Sequence, residues 1–198
     1  SGLRGVTVDA SDRILLAVAG ERHQVVILEP DGTEVGTIGR RGGRPESGPW
    51  VSDGMRNPGG ITVDASGRIW VAESTGSPKR ISVWNPSDGS LAKEFFGPTH
   101  YGASGGAIHP HDPNLMFGQG CEWRLDPVTG RATCLGGVGD EPADGSIYAE
   151  AGGRVYLAVG RSRGRSIRIF ERLGDGDFRL RSSITCHGDG SKAQTHLW

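Results

Sequence analysis

Apolar residues along this chain fall in short runs that polar, glycine-rich punctuation interrupts, and the pattern repeats. Gly5-Val-Thr-Val-Asp-Ala-Ser-Asp-Arg-Ile-Leu-Leu-Ala-Val18 reads as an apolar strand, an Ala-Ser turn and a second apolar strand. It aligns without gaps on Gly60-Ile-Thr-Val-Asp-Ala-Ser-Gly-Arg-Ile-Trp-Val-Ala-Glu73, with 9 of 14 positions identical. A third copy starts at Ser146 and a degenerate one at Gly106, so the starts at 5, 60, 106 and 146 are separated by 55, 46 and 40 residues. Each copy predicts a β-hairpin.

A third apolar run follows every hairpin: Gln24–Leu28, Arg80–Trp84, Cys121–Leu125 and Ser166–Phe170. A turn rich in Pro, Asp and Gly comes next, then a fourth run: Glu34–Ile38, Leu91–Phe96, Arg131–Leu135 and Phe178–Ile184. Four antiparallel strands in about 40 residues are one propeller blade, and a blade buries its faces only against neighbouring blades. The predicted fold is therefore all-β, a β-propeller of four-stranded antiparallel blades with about four blades present. The blades are placed at about 5–38, 60–96, 106–135 and 146–184 of a single domain over 1–198, with 185–198 a candidate start of a further blade. Composition agrees: 34 of 198 residues are Gly and 11 are Pro, which suits a chain that turns often and excludes long helices. Tryptophans and other aromatics at repeat-equivalent places, namely Trp70, Tyr156, Phe117, Trp84, Trp123 and Phe170, are expected to pack blade against blade.

The wording of the second repeat carries a resemblance. Pro58-Gly59-Gly60-Ile61-Thr62-Val63-Asp64, Gly67-Arg68-Ile69-Trp70-Val71-Ala72-Glu73 and Arg80-Ile81-Ser82-Val83-Trp84 resemble the NHL-repeat β-propellers. The chain is also similar to virginiamycin-lyase-like and gluconolactonase-like propellers. Repeats one and four match less closely, and repeat three departs through Pro110 and Pro113. The resemblance implies a six-bladed superfamily, so the chain is expected to be part of a larger propeller whose further blades come from the parent chain, which continues past Trp198. It also implies a common face where inter-blade and second-to-third-strand loops emerge.

Charge changes the picture little overall. With 22 Lys+Arg against 23 Asp+Glu the formal net charge is −1, so no global field favours nucleic acid or membrane, and no apolar run is long enough for a transmembrane helix. No membrane insertion is expected. The three cysteines lack CxxC or Cys/His spacing, so the usual zinc site is not indicated. Cys121 and Cys134 flank one turn almost symmetrically and are either a cross-strand disulfide, which would argue for export, or two packed thiols. An extracellular or periplasmic location is slightly favoured.

Locally the charge is uneven. Arg40, Arg41, Arg44 and Arg56 in the longest inter-blade loop face only Glu46 and Asp53, and Arg161, Arg163 and Arg165 alternate with Ser and Gly. With Trp50 and Tyr101 available for stacking, these residues are the candidate binding set for a protein or anionic polymer. The plainer account is solvated arginines that balance acids elsewhere. The leading expectation is a non-enzymatic binding module that uses its loop face and needs no cofactor. The alternative is a metal-dependent hydrolase or lyase with Ca²⁺ or Zn²⁺ at the channel mouth. For that chemistry the candidate catalytic residues are Glu73, at a strand end before a loop, and His100. His109 and His111 are the candidate metal ligands, although their sequence supplies no third donor and a plain turn accounts for them.

Overall fold

The fold is described from a computed structural model of residues 2–73, 75–76, 78–97, 106–139, 145–161, 166–185 and 194–197. It begins with the turns. In the first repeat Asp9 Oδ1 accepts the backbone N–H of Ser11 at 2.9 Å and of Arg13 at 3.0 Å, and Asp9 Oδ2 accepts Arg13 Nε at 2.8 Å. The second repeat reproduces this: Asp64 Oδ1 takes Ser66 N–H at 2.9 Å and Arg68 N–H at 3.0 Å, while Oδ2 takes Arg68 Nε at 2.9 Å and Trp70 Nε1 at 2.9 Å. The shared Asp-Ala-Ser-x-Arg wording is thus a side-chain-capped turn that satisfies the hairpin's own backbone donors.

The turns order the strands into four successive up-and-down meanders. The first contains β1 (Leu3–Val8), β2 (Ile14–Val18), β3 (Gln24–Leu28) and β4 (Glu34–Ile38). After the short β5 (Ser47–Pro49), the second contains β6 (Pro58–Val63), β7 (Ile69–Glu73), β8 (Lys79–Trp84) and β9 (Leu91–Gly97). The third is β10 (Gly106–His109), β11 (Asp112–Gly118), β12 (Cys121–Asp126) and β13 (Arg131–Val138), with β5 added beyond β13. The fourth is β14 (Gly145–Ala151), β15 (Arg154–Arg161), β16 (Ser166–Gly174) and β17 (Asp177–Thr185), with β18 (Gln194–Leu197) antiparallel to β17 at its edge. All pairings are antiparallel, and there is no helix among the described residues. Repeated four-stranded meanders are the blade topology of a propeller, so the fold class is all-β of that type. The third and fourth strands fall where their apolar runs predict them.

The chain forms two compact units: Ser1–Pro45 with Val51–Gly97, and Glu46–Trp50 with Pro98–Trp198. In the first unit Leu15, Val25, Ile27, Ile38, Ile69, Val71 and Trp84 form the core between the first two sheets, and Met55 is inserted from the loop before β6. β1 lies against β6, and Gly5 is required there, since a Cβ would stand 2.1 Å from the Gly59 carbonyl oxygen. In the second unit Phe117, Leu157, Val159 and Phe170 form the core, with Phe117 meeting the edge of Phe178 at 5.7 Å between ring centroids.

Three of the six aromatics expected in the core are buried, namely Trp84, Phe117 and Phe170. Trp70, Tyr156 and Trp123 are half-buried. Strand alternation explains Trp70: Ile69, Val71 and Glu73 face the core, so Trp70 points to the other side of the sheet, where it stacks on Phe95 at 5.9 Å. Cys121 and Cys134 are buried thiols. Cys121 is opposite Gly137 and Cys134 is opposite Trp123, so the register does not make them a directly facing pair.

Trp84 is 1% exposed and donates its indole N–H to Ser82 Oγ at 2.8 Å. Trp84→Ala should cost about 3–5 kcal/mol in denaturant unfolding, as large core deletions do, and a midpoint shift near zero would remove Trp84 from the core. The hydrogen bond from Trp70, followed by those from the turn backbone, holds the Asp64 carboxyl at about 2 against an ordinary value of 3.8. Because this pKa is depressed by folding, the stabilisation is complete above about pH 4 and is lost as pH falls toward 2. Asp64→Asn should therefore lower Tm at pH 7 and leave little difference from the unaltered protein at pH 2.

Candidate functional site

The longest inter-blade loop, residues 39–57, is where candidate binding residues concentrate, and its shape is fixed from beneath. Glu73 ends β7 directly opposite Arg80 on β8, and both side chains are fully buried. Arg80 Nη1 lies 3.3 Å from Glu73 Oε1 and donates to the Gly54 carbonyl at 2.9 Å, its Nη2 reaches the Ser52 carbonyl at 2.5 Å, and its Nε lies 3.0 Å from Glu94 Oε2. Arg44 enters from the loop, with Nε 3.3 Å from Glu73 Oε2 and Nη2 donating to the Pro78 carbonyl at 3.1 Å. The backbone N–H of Arg56 completes the set at 2.6 Å from Glu73 Oε2. Burial raises the Glu73 pKa against the pull of Arg80, Arg44 and the Arg56 N–H, and burial likewise lowers that of Arg80. Sharing one carboxylate between two guanidiniums and a backbone donor offsets part of this desolvation.

A second link closes the loop. Asn57 donates its backbone N–H to His23 Nδ1 at 2.9 Å, and both residues adopt positive φ, 46° for Asn57 and 50° for His23. Gly43 packs beside them with φ +70°, where a Cβ would lie 2.7 Å from His23 Cβ and 2.0 Å from the Met55 carbonyl oxygen. Burial, and then the charges of Arg56 and Arg44, hold the His23 imidazole below its usual range.

The expected binding residues are therefore not equivalent. Arg44 belongs to the interior, its side chain only 3% exposed. Arg56 is half-buried above Glu73. Arg40 is exposed and paired with Asp53 at 3.2 Å, and Arg41 is exposed on the same loop. Beside them Arg22 makes a two-pronged pair with Glu34, Nη1 to Oε2 at 3.0 Å and Nη2 to Oε1 at 2.5 Å. Trp50 belongs to the second unit, half-buried, with its backbone N–H on the Leu135 carbonyl at 2.7 Å. His100, Tyr101, Arg163 and Arg165 lie outside the described residues, and Arg161 is described only as the end of β15.

The candidate catalytic carboxylate, Glu73, has both oxygens engaged inside the clamp. The sequence neighbourhood offers Lys79 or Arg80 as a plain partner for Glu73, and the fold supplies Arg80 together with Arg44. His109 and His111 lie in the β10–β11 turn, where His109 Nδ1 accepts the His111 backbone N–H at 3.2 Å. His109 thus does for this turn what Asp64 does for the second repeat, one residue away from where a gapless alignment puts it. Among the described residues no three metal-type side chains converge.

The second unit holds a cluster that no motif in the sequence announces. Glu122 on β12 is fully buried and accepts Arg172 Nε at 2.7 Å, Arg172 Nη2 at 3.0 Å, the Tyr148 hydroxyl at 2.7 Å and the Gly176 N–H at 2.7 Å. Arg172 continues to Asp175 Oδ1 at 2.7 Å. Burial and the hydrogen bond to Glu122 push the Tyr148 phenol far above its ordinary value. Its only trace in the sequence is an acid inside an apolar strand, Cys121-Glu122-Trp123.

The sequence matches no protein-family profile and no curated protein. Solved structures resemble the chain distantly. A protein from Lactobacillus plantarum is 18% identical, over 98% of this chain and 67% of its own, with a TM-score of 0.37. Virginiamycin B lyase from Staphylococcus aureus, in a catalytically inactive form with quinupristin, is 15% identical over 98% of this chain and 62% of its own, at 0.36. The extracellular domain of a putative one-component system from Bacteroides thetaiotaomicron is 12% identical over 91% and 23%, at 0.35. The chain spans about two thirds or less of each.

Removing one partner of a buried ion cluster strands the others without compensation. Glu73→Gln should cost about 3–5 kcal/mol and open residues 39–45 and 51–57 to limited proteolysis before the rest of the first unit unfolds. An unchanged unfolding midpoint with an unchanged cleavage pattern would show that the clamp does not hold the loop.

Proposed function

We propose that this chain is part of a non-enzymatic, NHL-like propeller that binds an anionic polymer or acidic protein through its loop face, and that it works outside the cytoplasm as one portion of a larger propeller. The supporting observation is the division of labour among the arginines of residues 39–57. Arg44 lies inside the clamp with Glu73, while Arg40 and Arg41 stay outside on a loop held in shape. A preformed cationic loop loses little conformational entropy on binding, which favours affinity. The lowered basicity of His23 is consistent with this: after burial, its causes are the positive charges of Arg56 and Arg44. Guanidiniums fit sulfate, phosphate and carboxylate groups through paired N–H donors.

The test is binding of a sulfated polysaccharide, with single-stranded RNA as a second probe, at low and physiological salt. Each charged hydrogen bond removed is worth about 1.4 kcal/mol, or about tenfold in affinity, so Arg41→Ala should weaken binding about tenfold and Arg40→Ala somewhat less because Asp53 already engages it. Affinity should fall as salt rises. No binding to either probe, or affinities unchanged in both variants, would overturn the proposal, as would lactone turnover abolished by a chelator.

A further inference from the structure

The His109-Pro110-His111 turn is not absorbed by the loop-face reading. Sequence supplies two imidazoles and no further donor, but folding brings one. His111 Nε2 lies 2.8 Å from Glu150 Oε2, which reaches it from β14 of the neighbouring sheet. Both side chains are open to water, 60% and 46% exposed, and the two rings of His109 and His111 lie 6.0 Å apart between centroids. His109 is further located by an edge contact with Tyr148 at 5.2 Å.

We propose that His111 and Glu150, with His109 beside them, bind a divalent cation of the zinc, copper or nickel class at the seam between the third and fourth sheets. A nitrogen and an oxygen bound to one ion at about 2.0–2.2 Å stand about 3.0–3.4 Å apart, so the pair has only to open by a few tenths of an ångström for the cation to replace the shared proton. Imidazole with carboxylate selects borderline ions over calcium or magnesium, which prefer all-oxygen ligands. His111 and Glu150 supply two ligands and water the remaining positions, while His109, whose Nδ1 accepts the His111 N–H at 3.2 Å, lines the site. The other acid of the turn is committed elsewhere: Asp112 accepts the Asn114 N–H at 2.9 Å and pairs with Arg124 at 3.2 Å. The hierarchy follows directly, with His111 and Glu150 indispensable and His109 contributing less.

The proposal stands apart from the loop-face reading, whose test concerns Arg40 and Arg41 of the first unit. Its experiment is a calorimetric titration of the tag-free chain with Zn²⁺, and with Cu²⁺ followed by electron paramagnetic resonance for nitrogen coordination. One equivalent is expected to bind. His111→Ala and Glu150→Gln should each weaken binding at least about tenfold, since even altering groups behind metal ligands costs about 10–100-fold, and His109→Ala should weaken it less. Metal-free melting curves check that the variants fold. No binding by the unaltered chain, or undiminished binding by the His111→Ala/Glu150→Gln double variant, in which all three cysteines remain, would overturn the proposal.

Discussion

A buried carboxylate gripped by arginine and backbone donors is the interaction on which each unit depends. Glu73 and Glu122 sit in strands whose neighbours are apolar, and a bare carboxylate there would be expelled or neutralised. Each is retained because folding delivers several donors at once: Arg44, Arg80 and the Arg56 N–H for Glu73, and Arg172, Tyr148 and the Gly176 N–H for Glu122. These donors come from different segments. The Glu73 clamp fixes a loop to the second sheet, and the Glu122 clamp fixes the fourth sheet to the third. Apolar contact alone would hold these pieces together with less directional preference, since packing tolerates exchange of similar volumes whereas a forked guanidinium does not.

The repeat itself expresses a more local constraint. A meander of short strands folds only if every reversal satisfies its own backbone, and here aspartates do that work again and again: Asp9 and Asp64 at the first hairpin turns of the first two repeats, and Asp31, Asp88 and Asp126 at later ones. Such caps are strictly local, which is why they survive as sequence wording. Trp70 makes the second turn the most complete, because its indole N–H adds a further donor to Asp64.

This difference in range explains what was legible. The hairpins, the third and fourth strands and the all-β class could be read because alternation and Asx-capped turns are written within a few residues. Trp84 was readable as core from its repeat position, but the same logic misplaced Trp70, whose neighbours Ile69 and Val71 take the inward face. Arg44 illustrates the limit. Its loop context suggests a solvated cation, and only a partner 29 residues away makes it an interior group. Glu122 and Arg172, 50 residues apart, left no spacing signal for the same reason. In repeat three, Pro110 and a shortened turn shift the cap to His109, so a gapless alignment assigns the histidines to the wrong equivalents.

The charge arithmetic of the long loop links this architecture to function. Four arginines in residues 39–57 look interchangeable along the chain, yet the fold gives them three different fates. Arg44 is buried against Glu73, Arg56 places its backbone N–H on that same carboxylate, and Arg40 and Arg41 face solvent. The inner arginine therefore governs how the outer ones are displayed: a loop released from Glu73 would carry the same charge but scatter it over many conformations. Ordering such a loop on a ligand costs about 1–2 kcal/mol for each backbone residue fixed, which quickly exceeds the gain from one charged hydrogen bond. A cationic surface on this loop is thus a property of the clamp as much as of the exposed side chains.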